Sequence, residues 1–133
     1  MSKKKPTFAP IYDSARGLFW NRSEKDLIDN WGAHPKELDK RIKNYSEGSK
    51  PKIGWEGLDD LNHFVLIDKI FSSDSRYRDV CLELITQENL QKALKLVDAE
   101  FSKFYSTLRL ELIKRCLIYR FESLMIIVNK KEE

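Results

Sequence analysis

From Ser23 onward, apolar residues recur at helical intervals with polar residues between them. Leu38, Ile42 and Tyr45 share one face, and Gly48 closes that segment. Leu61, Phe64, Val65 and Ile67 through Phe71 form a third, more apolar segment, broken at Ser72–Ser75. Tyr77, Cys81, Leu84 and Ile85 line a fourth. Leu90, Leu94, Val97, Phe101 and Phe104 alternate steps of four and three, which stacks all five on one stripe. The last segment, about 107–129, is apolar on two faces: Leu110, Ile113, Leu117, Leu124 and Val128 on one, Leu108, Leu112, Tyr119 and Ile126 on the other. Such a helix is expected at the centre, packed from both sides.

Start and stop signals punctuate this pattern. Ser23 followed by Asp26 resembles a capping box, Gly32 fits a left-handed stop after Trp31, Pro35 suits a first helical turn, and Thr86 suits a cap. Asp59 and Asp60 are placed at a helix start, where carboxylates favour the positive end of the dipole. Residues 49–57, with two glycines, a proline and the apolar anchors Ile53 and Trp55, read as an ordered loop. Before Ser23 the pattern changes. Pro10 excludes a helix from 7–12, so that segment is an extended piece or short edge strand. Residues 13–22 read as an anchored loop. The prediction is an all-α chain, helical over 23–130, with at most one short N-terminal strand, in a single domain spanning 1–133. Trp20, Trp31 and Trp55 stand beside apolar neighbours and are expected to be at least partly buried.

Composition narrows the function classes. Charged residues make up 34% of the chain, yet 24 basic and 21 acidic residues leave only +3, a surplus matched by Lys3, Lys4 and Lys5. That points to solvated helix faces and a basic tail, and neither a nucleic-acid partner nor a membrane is expected. Cys81 and Cys116 fall inside apolar patterns without CxxC spacing, which reads as reduced core thiols. No signal-peptide pattern opens the chain, and its longest apolar run, Leu124 to Val128, is far short of the roughly 20 residues a membrane span needs. A cytoplasmic location is the expectation.

The chemistry-bearing residues are few. His34 and His63 are far apart and have no metal-ligand spacing, so a zinc site is not expected and His63 reads as a hydrogen-bonded structural histidine. No GxxxxGK[ST], GxGxxG or GxSxG occurs. Asp13 admits two readings. It ends an apolar extended segment before a small-residue loop, a placement that presents a hard-metal ligand; it also suits a turn in which the side chain bonds nearby backbone. Spacing alone favours the turn.

The stretch Phe8-Ala9-Pro10-Ile11-Tyr12-Asp13-Ser14-Ala15-Arg16-Gly17-Leu18-Phe19-Trp20-Asn21 resembles HipA-like serine/threonine kinases around their magnesium-binding aspartate. Lys52-Ile53-Gly54-Trp55 and Asn62-His63-Phe64 resemble one branch of that family. The resemblance implies the helical C-terminal lobe of a HipA-like fold, with Asp13 as the magnesium ligand at the site of ATP-dependent protein phosphorylation. The family's β-rich lobe, phosphate-binding loop, ATP-contacting lysine and catalytic loop have no counterpart in these residues. The resemblance thus implies a lobe without catalytic residues of its own, inactive alone, with the missing N-terminal kinase half or an antitoxin-like protein as partner. The alternative is a non-enzymatic interaction protein that binds such a partner.

Overall fold

The computed structural model describes residues 18–19, 21–51 and 53–130. The extended segment 7–12, Asp13, most of the loop 13–22 including Trp20, and the lysines at 3–5 lie outside the described residues. Within them the chain is mostly helical: α1 (Glu24–Leu27) continuing into a π-helical turn (Ile28–Gly32), a 3-10 turn (Pro35–Glu37) leading into α2 (Leu38–Glu47), then α3 (His63–Ser73), α4 (Ser75–Leu84), α5 (Gln87–Phe101) and α6 (Thr107–Val128). Among the described residues there is no strand, only an isolated antiparallel bridge between Trp55 and Leu58.

Side-chain caps set the helix starts. Ser23 accepts from the Asp26 amide, Asp74 from Arg76, Thr86 from Asn89 and Ser106 from Arg109, each satisfying an amide that the helix itself leaves without a partner. The start expected at Asp59 and Asp60 is displaced. Asn62 is the cap of α3, accepting from the Val65 amide at 2.9 Å. Asp60 instead pairs with Lys50 across the preceding loop. A single residue, Asp74, separates α3 from α4, so the break is narrower than the serine-rich stretch suggests.

The loop 49–62 is fastened at several points. His63 Nδ1 lies 2.9 Å from the Ser49 carbonyl, in keeping with a structural histidine. Trp55 and Leu58 exchange backbone hydrogen bonds around Glu56 and Gly57, both at positive φ, the geometry of a tight two-residue turn. Trp55 is half-buried, whereas Ile53 is exposed and does not anchor the loop. A Cβ on Gly54 would lie 2.4 Å from the Leu58 carbonyl oxygen, so glycine is required by close approach.

α6 is the axis of the molecule and touches every other α-helix. Its first half carries Leu112 and Cys116, both fully buried, into a core shared with Phe19, Leu27, Trp31, Leu38 and Ile42. Its last turns carry Ile127 and Val128 into a second cluster with Phe71 of α3. Burial pushes the Cys116 thiol up to about 11, as expected of an unreactive core cysteine. The two-faced pattern of α6 is thereby explained, except at Ile126, which is exposed. The stripe of α5 also stops short. The helix ends at Phe101, and Phe101 and Phe104 are both exposed while Val97 is buried. Gly32 closes no left-handed turn. It ends the π-helical turn, and a Cβ there would meet Leu108 of α6 at 3.0 Å, so its role is to let two helices approach.

Leu112 is the most informative core position. Leu112→Ala is expected to lower unfolding free energy by about 2–5 kcal/mol, from lost transfer energy and a residual cavity. Urea denaturation checks this, and a loss below about 1 kcal/mol would contradict the assignment of α6 as the central helix.

Candidate functional site

The segment that carries the kinase-like motif enters the described structure at Leu18, five residues after Asp13. What the structure describes is therefore its anchorage. Phe19 is fully buried and sits at φ +58°, a left-handed conformation that is costly for a residue with a Cβ. The cost is on the order of 1–3 kcal/mol. Burying a phenylalanine contributes a comparable about 1.5–3 kcal/mol, and polar contacts add to it. The Phe19 ring stacks on Tyr45 at 4.5 Å and meets Trp31 edge-on at 5.1 Å. Its amide donates to Tyr45 Oη at 2.9 Å.

Arg109, in the first turn of α6, holds this corner from the other side. Its Nη1 donates to the Phe19 carbonyl at 2.8 Å, its Nη2 to the Arg22 carbonyl, and its Nε to Glu24 Oε1 at 2.6 Å. Tyr105 lies 5.5 Å from the guanidinium as a cation–π partner. Arg109 is 8% exposed, and an arginine that buried is tolerated because its planar fork is filled with acceptors. Glu24 also accepts from the Ser106 hydroxyl. The Ser106 hydrogen bond, then that of Arg109, hold the Glu24 carboxyl below its ordinary value of 4.5.

These residues form a receptor for the end of the motif and carry no reaction chemistry themselves. The only candidate that the sequence assigns to metal and cofactor, Asp13, lies outside the described residues. Among the described residues no group of three or more His, Cys, Asp or Glu is arranged to hold a metal ion. The second motif, around Gly54 and Asn62, resolves into a turn and a helix cap. No motif in the sequence marks Arg109. The signal was present: Arg109 precedes Leu112 and Cys116 by three and seven residues, which places an arginine on the most buried stripe of the last helix.

Set against family models, curated proteins and solved structures, the chain shows no significant match in any of the three. No helix among the described residues is long and apolar enough to cross a membrane.

Arg109→Met keeps the stem and removes every donor. It is expected to cost about 1.5–3 kcal/mol, the range for hydrogen bonds from a charged group, as read by chemical denaturation. Glu24 supplies a pH signature. Because its folded pKa is lowered, its contribution is present above about pH 4.5 and is lost as pH falls below that value. Glu24→Gln should therefore flatten the loss of stability on the acid side of pH 4.5 while leaving the shape of the profile near neutrality unchanged. A wild-type acid limb in the variant would remove Glu24 from the linkage.

Proposed function

We propose that the chain is the C-terminal helical lobe of a HipA-like serine/threonine kinase, acting in ATP-dependent protein phosphorylation only together with an N-terminal kinase half. The observation that carries this reading is the segment from Phe8 to Asn21, with Asp13 in the position of the family's magnesium-binding aspartate. Two structural features are compatible with it. The described chain is helical, as a kinase C-terminal lobe requires, and Phe19 near the end of the motif is bound firmly to the long central helix. Asp13 is the one residue this reading assigns to magnesium and, through it, to ATP. Phosphoryl transfer needs a phosphate-binding loop, a lysine and a catalytic base in addition, and none of the 133 residues is assigned to those roles.

A second reading is an interaction protein that binds a kinase half or an antitoxin-like protein without taking part in catalysis. The large apolar side chains exposed on several helices, Ile28, Val80 and Leu84 among them, favour it.

Co-expression with a HipA-like N-terminal half separates the two. The first reading expects nucleotide-dependent phosphorylation by the pair, none by the purified chain alone, and loss of activity in Asp13→Ala with an unchanged circular dichroism spectrum. Replacement of a loop carboxylate should alter stability by on the order of 1 kcal/mol or less. Activity of the pair that survives Asp13→Ala, or unfolding of that variant, would remove the metal role from Asp13. A stable but inactive pair would favour the interaction protein.

A further inference from the structure

α4 carries an apolar face that no other element among the described residues covers. Tyr77, Val80 and Leu84 recur at helical spacing and are 49%, 58% and 64% exposed. Tyr77 and Val80 also form one wall of a groove of about 630 Å³ between α3, α4 and α6, lined as well by Ile67, Ile70, Phe71 and Leu124 and by the Asp74–Arg76 pair. An exposed stripe at i, i+3 and i+7 next to an apolar groove is the geometry by which one helix docks beside another.

The charges beside the stripe select the occupant. Arg76 and Glu83 are seven residues apart, so they flank the same edge of the stripe at opposite ends of α4. A second α4 laid antiparallel, with a two-fold axis passing between Asp79 and Val80, brings Arg76 of each copy against Glu83 of the other. The order of charge along the helix supports the same arrangement. Beyond the Asp74 cap, Arg76 and Arg78 occupy the first turn while Asp79 and Glu83 follow, an order that the dipole of a lone helix does not favour. An antiparallel neighbour places opposite charges and opposite dipole ends side by side. Within one chain Arg76 holds Asp74 through Nε and Nη2, which leaves Nη1 for a second carboxylate.

We propose that this face is a homodimer interface: Tyr77, Val80 and Leu84 of each copy lie over the apolar groove of the other, in register through two Arg76–Glu83 pairs. The occupant is a second copy of this chain, and the inference does not rest on the kinase reading. A ten-residue helix spans only about 15 Å. Helix pairing of that length buries less than the roughly 1,200 Å² typical of stable complexes. The dimer is therefore weak and concentration-dependent.

Sedimentation velocity of the full chain from low-micromolar to near-millimolar concentration tests this. The weight-average mass should rise from 15.7 kDa toward twice that value. Val80→Glu should hold the chain monomeric, and Glu83→Arg should weaken association by about tenfold or more through like-charge contact with Arg76. The charge swap Arg76→Glu with Glu83→Arg should restore it. All of these side chains are exposed, so circular dichroism should show every variant folded. A monomer at the highest concentration overturns the proposal, as does association that ignores Val80→Glu or a charge swap that fails to restore it. Hydrogen-exchange protection of residues 77–84 only when an N-terminal kinase half is added would assign the groove to that half, and would also overturn self-docking.

Discussion

The structure depends most on one buried arginine. Arg109 stands at the start of the central helix and directs its fork at acceptors that lie almost ninety residues earlier in the chain. A lysine, with a single compact charge, lacks the geometry to bond the Phe19 and Arg22 carbonyls and Glu24 together. Among the described residues this contact closes the longest hydrogen-bonded loop, so it carries a large entropic cost that apolar packing around Phe19 must offset. The aromatic cluster of Phe19, Trp31 and Tyr45 and the fully buried Leu112 and Cys116 supply that packing. Polar clamp and apolar core are thus one unit: the clamp fixes where the segment enters, and the core makes the entry stable.

The consequence for function lies in what is held. The clamped residues are the end of the stretch that resembles a kinase metal-binding segment. In the proposed reading, the C-terminal helical mass serves as the foundation for Asp13, with Arg109 linking the two. The groove beside α4 lies toward the opposite end of α6, near Leu124. The proposed self-association would therefore use the end of the central helix opposite the one that holds Phe19.

Much of the helical framework was legible in the residue pattern, because periodicity reports which face is apolar and small polar residues report where helices begin. Ser23, Thr86 and the break before α4 were found this way. The errors share a physical cause. Periodicity does not say where a stripe loses its partner, so Phe101 and Phe104 continue the α5 pattern beyond the end of the core. Local rules compete at loop ends: Asp59 and Asp60 are good dipole partners, but Asn62 is placed to bond an amide and takes the cap. Gly32 reads as a turn residue from sequence because glycine's freedom is local, whereas its use here, making room for Leu108, is long-range. Arg109 escaped notice for the same reason, since its acceptors come from distant backbone. The residue with the strongest functional signal in the sequence, Asp13, is outside what the structure describes, and the structure gives only the anchorage of the residues that follow it.

Amide hydrogen exchange at Phe19 tests the central claim most directly. Its N–H donates to the half-buried Tyr45 at the edge of the core, and its carbonyl is held by Arg109. The account predicts that the Phe19 amide exchanges as slowly as the amides of α6 around Leu112, and that Arg109→Met releases Phe19 ahead of the rest of α6. Exchange of Phe19 in the wild-type chain at the rate of an open loop would contradict it.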